Sequence, residues 1–175
     1  DSHNTGAIDK NHDHDAACAV CEYDDENAEL YTEWGRYGSC STAGHVKVYE
    51  GLIMSNSHTQ QKGESVCVDM ERAAHEGSST SNDNGGLLYT SEMEGGSAHE
   101  DWYPHDIELG CTVCQARKPV YTRWGSRGCP AGSTKMYEGF MAGGNHGHRG
   151  SGANTLCMTE QSVPPPGAST SNHNG

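Results

Sequence analysis

Eleven histidines in a chain of 175 residues are the first groups whose chemistry stands out. An imidazole titrates near pH ~6.5 when unperturbed, so it can exchange a proton under mild conditions or bind a metal through a neutral nitrogen. Several occur in patterned places. His12 and His14 alternate with aspartate in Asn11-His12-Asp13-His14-Asp15, His105 precedes Asp106, and His146 and His148 lie in the glycine-rich run from Gly143 to Gly150. The alternating tracts read as a metal-binding segment, a charge-paired surface or a solvated terminus. They do not form an EF-hand, because a loop opening at Asp9 would put His14 where glycine is needed and Val20 where glutamate is needed. No resident metal and no cofactor are assigned from these patterns. No Gly-x-Ser-x-Gly elbow accompanies the abundant Ser, His and Asp, so a hydrolase site is not expected.

Cysteine is the second reactive type. Cys18, Cys21, Cys40 and Cys67 are followed by Cys111, Cys114, Cys129 and Cys157, an even division that suits two disulfides in each half. Four cysteines permit three pairings, and the sequence does not choose among them. Zinc fits less well. A zinc ribbon needs two Cys-x-x-Cys knuckles, whereas each half has one, followed by cysteines 19 and then 27 residues on in the first half and 15 and then 28 in the second. A redox Cys-x-x-Cys would open a helix, and no helical pattern follows either motif. All eight cysteines are therefore expected in disulfides, which implies an oxidising, extracellular location. The start at Asp1 without a leader, and the lack of an apolar run of ~20 residues, read as a processed, soluble protein with no membrane partner. No Asn-x-Ser/Thr sequon is present, so N-glycosylation is not expected.

Net charge is -13 with histidines neutral, which excludes nucleic acid as a partner because no basic face could neutralise phosphates. Protonating all eleven imidazoles would bring the charge from -13 to -13 + 11 = -2. Acidification from about pH 7.5 to 5.5 thus removes most of the self-repulsion, and pH-gated self-association is expected.

The elements that position these groups come in two copies. Cys18-Ala-Val-Cys21 returns as Cys111-Thr-Val-Cys114, Tyr31-Thr-Glu-Trp34-Gly35 as Tyr121-Thr-Arg-Trp124-Gly125, and Tyr49-Glu50-Gly51 as Tyr137-Glu138-Gly139. Gly77 to Gly85 likewise matches Gly167 to Gly175. A period of about ninety residues means two homologous domains rather than a solenoid. Residues 1–17 are a polar His/Asp-rich segment, 18–104 a first β repeat with its linker, and 105–175 a second β repeat. Residues 86–104 join the copies.

Short β-branched and aromatic runs separated by Gly, Ser and Asn predict an all-β, loop-rich fold with little helix. Strands are expected at Leu30 to Trp34, Val46 to Tyr49, Val66 to Val68 and Leu87 to Thr90, then at Val120 to Trp124, Lys135 to Met141 and Thr155 to Met158. Glu71 to Glu76 reads as one helical turn. With 33% hydrophobic residues and a single Phe, each domain must be stapled around a thin core. Tyr31, Trp34, Tyr49, Tyr121, Trp124 and Tyr137 are expected to supply that core and the cross-strand packing.

The order His-Asp-x-x-x-x-Cys-x-Val-Cys, Tyr-Thr-x-Trp-Gly, Tyr-Glu-Gly-x-Met-Ala-Gly and Gly-Ser-Gly-Ala-Asn-x-Leu-Cys resembles the cysteine-containing non-collagenous domain found with short-chain sponge collagens and in related marine-invertebrate matrix proteins. The second copy carries it best, at Tyr121 to Gly125, Tyr137 to Gly143 and Gly150 to Cys157. In the first copy Glu64-Ser65-Val66-Cys67 replaces the Gly-Ala-Asn run. Two such copies behind a His- and Asp-rich segment are similar to the glassin family, histidine-rich proteins occluded in glass-sponge silica. That family also carries Pro- and Thr-rich stretches, which here shrink to Val163-Pro-Pro-Pro166 and scattered Ser and Thr.

The resemblance implies a non-enzymatic promoter of silicic acid polycondensation, secreted into a siliceous skeletal matrix alongside other matrix proteins. Condensation is fastest when a deprotonated silanol attacks a neutral one. Neutral imidazole can take the silanol proton, and imidazolium can hold the resulting oxyanion. His12, His14, His105, His146 and His148 are the silica-interacting candidates, with the Ser/Thr/Asn runs 78–84 and 168–174 able to hydrogen-bond a silanol surface. The competing reading is a structural, self-assembling matrix or filament protein whose histidines and carboxylates bind zinc, calcium or nothing. A carbohydrate-binding module would instead need exposed aromatic residues.

Overall fold

The computed structural model describes residues 17–22, 27–78, 88–96 and 99–171. The protein is all-β, and no residue among those described is helical, so the turn expected at Glu71 to Glu76 is irregular backbone. No helix is long and apolar enough to cross a membrane.

Strands form on the β-branched and aromatic runs: β1 (Glu29–Arg36), β2 (Val46–Ser55), β3 (Val66–Asp69), β4 (Tyr89–Thr90), β5 (Glu92–Met93), β6 (Ile107–Glu108), β7 (Gly110–Ala116), β8 (Gly139–Ala142) and β9 (Leu156–Val163). The main sheet runs β3-β2-β7-β1-β9-β8, with β4 also on β2, while β5 and β6 form a separate antiparallel pair. Strands of 18–104 and of 105–175 therefore share one sheet.

β5, β6 and β7 are strands that the sequence did not announce, and the long one, β7, escapes because a run of Gly, Cys, Thr and Val buried along nearly its whole length has no alternation to betray it. It is antiparallel to both neighbours. Cys111 faces Trp34 on one side and Gly51 on the other, and Cys114 faces Tyr31 and Lys47. This placement sets the disulfides, which join Cys40 to Cys114 and Cys67 to Cys111. Bridging within each half, as the four-and-four division suggested, is not what forms: both bonds connect the first copy to the Cys-x-x-Cys of the second. Cys18, Cys21, Cys129 and Cys157, also expected in disulfides, carry free thiols.

The core differs from expectation as well. Tyr89, Met93 and Tyr103, from the stretch joining the copies, and Ile107 and Leu109, from the start of the second repeat, are buried, as are Ile53, Cys111, Leu156 and Met158. The Tyr103 hydroxyl donates to the Thr159 carbonyl at 2.7 Å, and its ring meets Phe140 edge-on. Glu108, also buried, accepts from Thr90 Oγ1 at 3.5 Å and from the Ser169 N–H at 2.9 Å. Trp34 packs partly buried against this cluster. Trp124 and Tyr121, expected inside, are 50% and 58% exposed.

The copies nevertheless fold alike where both are paired. Gly51↔Asp69, Leu52↔Val68 and Ile53↔Cys67 of β2 and β3 recur as Gly139↔Thr159, Phe140↔Met158 and Met141↔Cys157 of β8 and β9. Lys47 bonds Glu50 and Lys135 bonds Glu138, and Tyr31 reaches His45 as Tyr121 reaches Ser133. Val120 to Trp124 is the exception. Its counterpart β1 is held between β7 and β9, whereas this segment has no ladder partner and stays outside the sheet.

Candidate functional site

Two loops with the same place in the two copies clasp each other. Residues 56–65 follow β2, and residues 143–155 follow β8. Gly150 donates to the His58 carbonyl at 2.9 Å, Ser151 to Asn56 at 3.0 Å, and Ala153 to Gly63 at 2.6 Å. Gly150 is required at this crossing, because a Cβ there would lie 1.6 Å from the Ser57 carbonyl oxygen. Asn154 locks the clasp through its side chain. It accepts from the Ser65 N–H at 2.7 Å and donates to the Ser65 carbonyl at 3.2 Å.

The clasp brings His58 and His148 together, with ring centroids 5.2 Å apart. They rim a cleft of about 350 Å³ that also presents Ser55, Ser65, Ser91 and Ser151. Ser55 and Ser91 hydroxyls bond each other at 3.1 Å at its base. Apolar side chains such as Ile53, Leu109 and Met158 and the carboxylates of Glu92 and Glu94 complete the lining. The result is two imidazoles at a mixed cleft with four serines, a place where one ring can act as base while the other, if protonated, donates to an oxyanion.

The remaining histidine candidates separate. His146 is exposed in the same loop, which turns through the Gly147 N–H bond to Asn145 Oδ1 at 2.7 Å. His105 lies elsewhere. Its Nδ1 accepts from the Gly95 N–H at 2.8 Å and lies 3.1 Å from Asp106 Oδ1. Glu94, His105 and Asp106 bring ligand atoms within 4.8 Å of one another, so this is the set among the described residues that can hold a cation. His12 and His14 lie outside the described residues, as do most of the two Ser/Thr/Asn runs. Ser169, from the second run, serves the core through Glu108.

Sequence reading missed His58, because nothing local marks it. Its significance comes from a partner ninety residues away. The signal available was the repeat itself, which places residues 56–63 opposite 144–151 in the alignment of the copies. His45 is a third imaginable base, but it is engaged by the Tyr31 hydroxyl at 3.0 Å. Burial, and then the nearby Glu33, push the Tyr31 phenol up to about 12, so the hydroxyl keeps its proton.

No family model, no curated protein and no solved structure matches this chain.

Proposed function

We propose that the protein is an extracellular matrix component that promotes silicic acid polycondensation and becomes part of the mineral, without being an enzyme. The observation that carries the reading is the His58–His148 pair on a cleft whose mixed lining includes four serines. Silicic acid is a small, neutral, four-hydroxyl molecule that hydroxyls and amides can hold by hydrogen bonds. A neutral imidazole beside it takes a silanol proton, and the neighbouring imidazolium stabilises the nucleophilic oxyanion. The exposed His146 and His105 extend the same chemistry over the surface, and the His/Asp sequence tract with His12 and His14 supplies further imidazoles. A net charge that falls toward zero as imidazoles protonate lets chains and silicate accumulate together. Secretion into a skeletal matrix with other matrix proteins agrees with the disulfides, which require an oxidising environment.

The test is precipitated silica against pH from about 5 to 8, near the ordinary imidazole value. The protein is expected to exceed a protein-free control, with a maximum between pH 6 and 7 in order of magnitude ~6.5. His58→Asn with His148→Asn should lower the yield more than His146→Asn alone. Equal yields from wild type and a variant lacking His12, His14, His58, His105, His146 and His148 would end the proposal and leave a structural matrix protein. One observation favours that second reading on its own terms, namely the open edge of β8.

A further inference from the structure

The second copy lacks one strand, and the first copy shows what it should be. β7 fills the space between β1 and β2 and bonds Cys40 and Cys67. The equivalent space in the second copy, between Val120–Gly125 and the free edge of β8, is an open cleft of about 830 Å³. Cys129 and Cys157, the counterparts of Cys40 and Cys67, both line it with free thiols, beside Tyr121, Trp124 and Met141. These three apolar residues are at least half exposed. Such a patch on a sheet edge is a place for strand addition.

The matching strand exists in the chain and is unused. Ala17–Glu22 carries the first Cys-x-x-Cys, is exposed along its length, and has free thiols at Cys18 and Cys21. Val20, fully exposed, corresponds to Val113, which is buried in β7 at 8% exposure. This segment does not occupy its own molecule's cleft. Ala17 donates to the Ala73 carbonyl at 3.2 Å, just past β3, and β3 and β8 are the first and last strands of the sheet.

We infer that the Ala17–Glu22 segment of a second copy enters this cleft as a β strand, with Cys18 bonding Cys157 and Cys21 bonding Cys129, so that chains join head to tail. The register follows from β7. Cys111 faces Gly51 and Cys114 faces Lys47, so Cys18 faces Gly139 and Cys21 faces Lys135. Donor and acceptor are different surfaces of one chain, so the contact is heterologous and propagates into a filament. Each bridge forms by thiol–disulfide exchange with a small disulfide such as oxidised glutathione. One cysteine thiolate attacks it and expels a small thiol, and the partner thiolate then displaces the second. Per bridge, two protein thiols are oxidised, one small disulfide is reduced to two small thiols, and the protein protons pass to those thiols. The inference does not depend on silica.

The test mixes ordinary and ¹⁵N-labelled chains in a glutathione redox buffer without silicate and maps disulfides by mass spectrometry. Expected are Cys18–Cys157 and Cys21–Cys129 peptides, about half of them joining a labelled to an unlabelled chain, together with a reductant-sensitive oligomer ladder. Two variants leave the Cys40–Cys114 and Cys67–Cys111 bridges intact: Cys18→Ala/Cys21→Ala keeps only the acceptor, and Cys129→Ala/Cys157→Ala only the donor. Each alone should stay monomeric, and their mixture should stop at a covalent dimer. Bridges confined to one isotope, pairing of Cys18 with Cys21, or four thiols that remain free would each overturn the inference.

Discussion

The Tyr137 hydroxyl donates to the carbonyl oxygen of Cys157 at 3.1 Å, reproducing in the second copy the bond at 3.1 Å from Tyr49 to Cys67 in the first. In both places a tyrosine two residues before a glycine with no room for a Cβ reaches to the neighbouring strand and bonds the backbone of its cysteine. The bond persists in the copy whose central strand is missing, so it belongs to the strand pair itself. Tyr137→Phe removes one such bond while keeping the ring. It should cost about 1 kcal/mol, or about 3 °C in thermal midpoint. Tyr49→Phe should cost a similar amount, and differential scanning calorimetry of the two variants checks this.

Gly51 and Gly139 permit the close approach of those strands. A Cβ at Gly51 would lie 1.8 Å from the Val68 carbonyl oxygen, and one at Gly139 would lie 1.7 Å from that of Met158. Both obstacles are backbone and cannot rotate away. Gly51→Ala should therefore destabilise by about 3 kcal/mol or more, beyond the usual cost of overpacking. Urea unfolding of Gly51→Ala and Gly139→Ala against wild type measures this, and near-wild-type midpoints would refute it.

The cross-copy disulfides close loops of 74 and 44 residues in sequence separation. Loop-closure entropy gives each about 4 kcal/mol of stabilisation. Cys67→Ala with Cys111→Ala should lower unfolding free energy by about that amount. Peptide mapping of the native protein should recover Cys40–Cys114 and Cys67–Cys111 and no bridge between cysteines of the same copy.

Buried phenols make the fold sensitive to alkali. Tyr31 is pushed up to about 12, first by burial and then by Glu33, and Tyr103 is pushed up further by the same causes in the same order. Burial, followed by the nearby Cys157 thiol, also raises Tyr137. The folded state thus holds the neutral phenol against an unfolded chain that ionises near pH ~10. The stabilisation is complete below that value and is lost as pH rises from it through the folded values. Urea midpoints should be level from about pH 8 to 9 and fall above about 10, with a shallower fall for Tyr103→Phe. A midpoint unchanged to about pH 11.5 would contradict the burial of these rings.

Much of the architecture was legible in the residues. The runs at Leu30 to Trp34, Val46 to Tyr49 and Val66 to Val68 became β1, β2 and β3, because β-branched and aromatic side chains fit a half-buried pleated surface wherever they fall. The repeat was legible too, and the matching registers of β2–β3 and β8–β9 follow from it. What tertiary structure alone decided was which segment completes which sheet. Val120 to Trp124 has the composition of β1 but lies outside the sheet, since a strand needs neighbours as well as propensity. Cys111 and Cys114 bond the first copy because β7 lies between its strands, and four cysteines in one copy carry no information about a partner in another. His58 meets His148 for the same reason. Local residue types determine strands, turns and titratable groups, whereas long-range pairing is set by burial, which no short stretch of sequence contains.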